Sequence, residues 1–127
     1  MPCSGSKTRA SNRSTIVERK EKVGRIRALN DELRVRLTSG MVIITAGVRT
    51  LGDDAVTCIL VVVRNFDKFD VDNDPYGEHD FGALAVDGHQ IFWKIDYYDK
   101  RLENGSDDPS SPEATTRVLT VMLASEY

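Results

Sequence analysis

The sequence predicts an α+β domain in the order α-β-α-β-β-α, with helices packed on one face of a small, three-stranded, mostly antiparallel sheet. Three observations carry this expectation. Apolar residues recur at helical spacing in two long stretches, residues 26–37 and 56–66. Asp87-Gly88, a strong hairpin signal, separates two strand-like runs. The chain has 127 residues, 40% hydrophobic and 29% charged, which is enough for one domain and too little for two.

Residues 1–14 are rich in Ser, Lys, Arg and Asn without an apolar period, so they read as a disordered basic tail ahead of a single domain over 15–127. Thr15 and Glu18 have the spacing of a capping box and open the first predicted helix. Ile26, Leu29, Leu33 and Leu37 form its buried stripe, and Ser39-Gly40 ends it. Gly24 inside this pattern weakens the first turns by roughly 1 kcal/mol relative to Ala.

Residues 41–45, Met-Val-Ile-Ile-Thr, do not alternate and predict a strand buried on both faces. For residues 51–69, the stripe Val56, Ile59, Leu60, Val63 and Phe66 predicts a helix, with Asp53 and Asp54 suited to its positive end. The β-branched content of residues 58–63 favours a strand instead; the helix is preferred because its period persists for about three turns. The polar stretch 67–80, with Asn73-Asp74-Pro75, is a loop. Residues 81–86 and 89–98 are the hairpin strands, and 104–111 form a second loop. Ser111-Pro112 followed by Val118, Leu119 and Met122 predicts a final helix.

A two-residue turn at Asp87-Gly88 fixes the hairpin register. Leu84 then faces Ile91, Gly82 faces Trp93 and Asp80 faces Ile95 on the core surface, with Gly82 leaving room for the indole. The opposite surface carries Ala83 with Phe92 and Phe81 with Lys94. Continued two residues further, the same register sets His79 opposite Asp96. His79, Lys94 and Asp96 are therefore the candidate catalytic group, with His79–Asp96 as an oriented general base. An ordinary solvated face with a cross-strand ion pair is the favoured reading of the same residues.

Net charge is −3, but residues 1–40 carry ten Lys/Arg against four acids, and residues 41–127 carry seven against sixteen. The basic arm reads first as a solvated tail and outer helix face, since no aromatic residues are interleaved with its charges, and second as contact with nucleic acid. Asp67, Asp70, Asp72, Asp74, Glu78 and Asp80 crowd the first loop. Asp70-x-Asp72-x-Asp74 copies the start of a calcium loop, but Pro75 replaces the required Gly and Phe81 the bidentate Glu. A looser Mg, Mn or Ca site using Asp74, Glu78, His79 or Asp80 is the weaker expectation, and no cofactor is the stronger. No zinc spacing, P-loop, dinucleotide fingerprint or nucleophile elbow is present. Two cysteines, Cys3 in the tail and Cys58 in the expected core, together with the lack of a long apolar run, point to a cytoplasmic protein without membrane contact.

Several stretches look familiar as a set. They are Ile26-Arg-Ala-Leu-Asn-Asp31, Thr45-Ala-Gly-Val48, Phe66-Asp-Lys-Phe69, Asp72-Asn-Asp-Pro-Tyr-Gly-Glu-His-Asp-Phe-Gly82, Trp93-Lys-Ile-Asp-Tyr-Tyr-Asp99 and Thr116-Arg-Val-Leu-Thr-Val-Met-Leu-Ala-Ser-Glu-Tyr127. Together they resemble the domain-of-unknown-function family numbered 3768, over about residues 25–127. That resemblance implies a small bacterial protein, mainly of alphaproteobacteria and their plasmids or phages, with no established activity, cofactor or partner.

The sequence reading favours a non-enzymatic protein-interaction module, possible servant of a mobile element, with Tyr76, His79, Phe81, Lys94 and Tyr98 as its binding residues. One alternative is a metal-assisted hydrolase or nuclease using the acidic loop and His79. Another is an acidic nucleic-acid mimic that blocks a DNA-binding protein.

Overall fold

The structure is a computed structural model; it describes residues 3–127, with side chains from residue 15 onward. Helix α1 (Cys3–Arg36) is followed by strand β1 (Met41–Ile44), a one-turn helix α2 (Ala46–Arg49) and helix α3 (Asp53–Arg64). Strands β2 (Phe81–Val86), β3 (His89–Tyr98) and β4 (Thr116–Leu123) complete the chain, with a 3₁₀ turn at Ala124–Glu126. The backbone is helical from Cys3, so Thr15 and Glu18 lie inside α1 rather than at its start. The tail expected over residues 1–14 falls where side chains lie outside the described residues.

The fold is α+β, as expected, but its sheet has four strands in the order β1-β4-β3-β2. β1 pairs with β4 in parallel and the other neighbours are antiparallel, so the sheet is mixed. The predicted last helix is strand β4. Val118, Leu119 and Met122 fit a helical stripe, yet Val118 and Leu119 belong to opposite faces of a strand between two neighbours. Both are buried, as are Arg117, Val121 and Met122. An inner strand buried on both sides does not alternate, and that removes its sequence signature.

β1 departs from expectation in the other direction. It is an edge strand whose Met41 and Ile43 are each 42% exposed, while Val42 and Ile44 pack on the core. Helix α3 matches the predicted stripe: Ile59, Val63 and the following Phe66 are buried, and Val56 and Leu60 pack beside them. Cys58, expected in the core, is exposed on the outer side of this helix.

The hairpin forms in the predicted register, from Val86 opposite His89 to Phe81 opposite Lys94. Asp87 and Gly88 both take positive φ, 49° and 81°, as the tight turn requires. Trp93 is fully buried against Gly82, with Phe66 edge-on at 5.5 Å. The core is thus one layer between α1, α2 and α3 and a single face of the sheet, through Leu33, Val48, Ile59, Val63, Ile91, Trp93, Leu119 and Val121. Among the described residues, no α-helix packs on the other sheet face.

Candidate functional site

Because alternate residues of each strand point to opposite faces, the core register also determines what the uncovered face displays. Met41 and Ile43 of β1 stand beside Val118, Thr120 and Met122 of β4. Lys94, Asp96 and Tyr98 of β3 continue the surface. With Thr45, Leu102, Glu126 and Tyr127 these residues line a groove of about 720 Å³. Val118 and Met122 form its buried apolar floor, and Met41, Ile43, Leu102 and Tyr127 its exposed rim. Phe81, Phe92 and Tyr127 pack edge to face at its end, with ring centroids 5.2 to 6.0 Å apart.

Lys94 Nζ lies 3.0 Å from Asp96 Oδ2 within the groove. The hydrogen bond to Asp96 holds the Lys94 ammonium above its ordinary pKa, against the opposing effect of partial burial. Glu126 closes one end. Its carboxylate accepts from the Thr45 hydroxyl at 2.7 Å, from the Leu123 N–H at 2.8 Å and from the Gly47 N–H at 3.2 Å. These bonds, the Thr45 hydroxyl foremost, hold the Glu126 carboxyl below the usual carboxylate range. They also tie the C-terminal end of the chain to β1.

The predicted pair His79–Asp96 does not form. Asp96 faces the groove, whereas His79 lies on the helix-covered side. There its Nδ1 is 2.9 Å from Asp31 Oδ1 of α1, and its ring stacks on Phe69 at 3.7 Å. The ladder does continue to Asp80, whose carbonyl accepts from the Ile95 N–H at 2.8 Å. Immediately before it His79 takes φ of 56°, and this left-handed residue turns the chain away from the strand line. Alternation therefore stops one residue short of the predicted contact.

On the covered side, polar groups join α1, the acidic loop and the sheet. Asn30, fully buried, donates to the Glu78 carbonyl at 3.0 Å and the Tyr97 hydroxyl at 2.8 Å. Its own carbonyl accepts from Arg117 Nε at 2.8 Å, and Arg117 also donates to the Pro109 carbonyl. Tyr97 donates to Glu78 Oε1 at 2.7 Å; burial and then this bond push its hydroxyl far above the ordinary tyrosine pKa. Every contact here is filled by another part of the chain, so the network braces the fold.

Of the four metal candidates, Asp74, Glu78 and His79 make side-chain contacts within the chain, and His79 Nε2 lies 3.7 Å from Asp74 Oδ2. Asp74 accepts from the His79 backbone N–H at 3.1 Å, and Glu78 receives the Tyr97 hydroxyl. Asp80 is half-buried, and its carboxyl is raised by burial and then by Glu78. Asp70 uses Oδ1 to accept the N–H groups of Asp72 and Asn73 at 2.9 and 3.0 Å, which shapes the loop itself. Among the described residues, no group of three or more His, Cys, Asp or Glu is arranged to hold a metal ion.

Of the predicted binding residues, the groove brings together Phe81 at its end with Lys94 and Tyr98 within. Tyr76 and His79 lie elsewhere. Sequence reasoning missed Met41, Ile43, Thr120, Met122 and Glu126, whose place depends on β4 being a strand beside β1.

A model of a family described as a protein of unknown function, DUF3768, matches residues 44–126. The chain belongs to the DUF3768 family. The matched span begins at the end of β1 and includes α3, the acidic loop, the hairpin and β4. The floor of the groove thus lies within the family domain, and Met41 and Ile43 of its rim lie just before it. No curated protein and no solved structure matches the chain. Among the described residues, no helix is long and apolar enough to cross a membrane.

Proposed function

We propose that this DUF3768 protein is a non-enzymatic protein-interaction module and that the uncovered sheet face is its contact surface. One observation carries the reading: a four-stranded sheet is packed by helices on one side only. The free side presents exposed Met41, Ile43, Leu102 and Tyr127 around an apolar floor. Contiguous apolar surface with a polar rim is what protein partners bury.

The groove also indicates the chemistry of the partner. Lys94 is neutralised by Asp96, which leaves Glu126 as the remaining formal charge in the lining. A segment with two or three apolar side chains flanked by a cation matches this pattern. The metal-assisted alternative draws no comparable support, since Asp74, Glu78 and His79 are engaged by contacts within the chain.

Capture from a bacterial extract with matched variants tests the reading. Ile43→Asp and Lys94→Glu should each release the retained partner, whereas Val61→Asp, on exposed α3, should not. A partner indifferent to both groove changes, or no retained partner, contradicts the proposal.

A further inference from the structure

On the helix-covered side, α1 and the turn of the acidic loop enclose a second, smaller groove of about 410 Å³, lined by Arg19, Lys20, Val23, Arg27 and Tyr76. Three of these five side chains are cations and none is an acid. Residues 19, 23 and 27 recur every four positions along one side of α1, and residue 20, three before 23 and seven before 27, flanks that row. Arg27 is held in place: its Nη1 donates to the Gly77 carbonyl at 3.1 Å, which also fastens the loop turn to the helix. Gly77, with φ of 72°, bonds back to the Asp74 carbonyl and leaves Tyr76 at the apex of the turn.

Tyr76 is 79% exposed, so the fold gains little by burying it. Its ring is instead an available aromatic wall beside the cationic groove. The overall charge of the chain is −3, and attraction of an anion must come from this local concentration. Two other cations of α1 are turned elsewhere. Lys22 and Arg25 lie near enough to Asp108 to add to the effect of Ser110 in holding its carboxyl below the usual range.

We propose that this groove binds single-stranded nucleic acid, with backbone phosphates on Arg19, Lys20 and Arg27 and one base stacked on Tyr76. Cations that follow a backbone and an exposed ring that accepts any base are the two components such binding needs. The ring selects single strands because a base in a duplex is already stacked on its neighbours. The site lies on the opposite side of the sheet from the protein-contact groove and acts independently of it.

Fluorescence anisotropy of the full chain with labelled oligothymidylate tests the proposal, with a duplex oligonucleotide and tripolyphosphate as competitors. The single strand should bind, and the logarithm of its affinity should fall with the logarithm of salt at a slope of about −2 for three phosphates. Tyr76→Ala should weaken binding roughly tenfold and leave that slope unchanged. Arg19→Ala or Lys20→Ala should make the slope shallower by about 0.7 each. Ile43→Asp, on the other side of the sheet, should change nothing. No binding at low salt, a duplex that competes as well as a single strand, or affinity unaffected by Tyr76→Ala overturns it. Displacement by tripolyphosphate as effective per phosphate as by the single strand overturns it too, since that would be general attraction of polyanions. Circular dichroism of the Tyr76 and Arg19 variants confirms that an exposed side chain was removed from an intact fold.

Discussion

His79 Nδ1 and Asp31 Oδ1 meet at 2.9 Å, joining the acidic loop to α1 across 48 positions of sequence. The same oxygen of Asp31 accepts from Arg34 Nη2 at 3.0 Å, and the His79 ring lies flat on Phe69 with an interplanar angle of 5°. The histidine that the sequence offers as a general base is therefore an anchor.

Replacing that anchor should loosen the loop without disturbing the uncovered face. His79→Ala removes one side-chain hydrogen bond and a stacked ring, a loss of about 1–2 kcal/mol in stability. Hydrogen exchange should accelerate over residues 67–80, while β3 and β4 keep their protection. Equal acceleration throughout the sheet would count against an anchoring role.

Arg34 is a buried cation with a structural task. Its Nη1 donates to the carbonyls of Val63, Arg64 and Phe66 at 2.9 to 3.2 Å, at and just beyond the last turn of α3. Its guanidinium also lies 5.4 Å from the rings of both Phe69 and Trp93. Arg34→Met keeps much of the apolar stem but removes the side-chain donor from three carbonyls, of which Val63 alone keeps a backbone N–H, from Phe66. Unfolding in urea should therefore show a loss of about 3 kcal/mol. Arg34→Lys should recover only part of it, because one ammonium cannot reproduce the planar fork.

Gly82 and Trp93 occupy one space. A Cβ at Gly82 would overlap the Trp93 indole, coming within 2.6 Å of Cε2, and would stand 2.8 Å from Phe66 Cζ. Gly82→Ala should therefore destabilise by about 1–3 kcal/mol and red-shift the Trp93 fluorescence as the ring is displaced. An unchanged spectrum with unchanged stability would contradict the packing described.

Two carboxyls predict opposite pH behaviour. Burial, followed by Glu78, raises Asp80, so the folded state favours its protonated form. The stability it contributes is present below the unfolded value and lost as pH rises through the folded one. Asp80→Asn should accordingly raise the denaturation midpoint at pH 7, with the gain vanishing below about pH 3.9. Glu126 is lowered, first by Thr45, and its contribution is present above the unfolded value. Glu126→Gln should lower the midpoint at pH 7, and the loss should fade as pH falls through the depressed value. Melting curves over this range check both signs.

The contrast between the hairpin and its surroundings shows how far the sequence could be read. Asp87-Gly88 states a local geometry, and alternation carried it correctly through six pairs. One residue with positive φ, His79, then ended the alternation, and nothing local in the sequence announced it. β4 was obscured because an inner strand has apolar residues on both faces and Ser111-Pro112 imitates a helix start. The covered-side network was missed for another reason. Asn30 and Arg34 interrupt the stripe of α1, and a search for apolar period passes over buried polar residues. The partners of Asn30 (Glu78, Tyr97 and Arg117) are 48 to 87 positions away and the carbonyls held by Arg34 are 29 to 32 away, beyond the reach of any local pattern.

The central claim, that the uncovered face meets a protein partner, is tested most directly by site-specific photo-crosslinking from Thr120, at the floor of the groove, and from Thr57, on exposed α3. In a bacterial extract, Thr120 should yield a discrete protein adduct that Ile43→Asp abolishes, and Thr57 should yield none. Adducts from Thr57 alone, or equal adducts from both positions that survive Ile43→Asp, would contradict it.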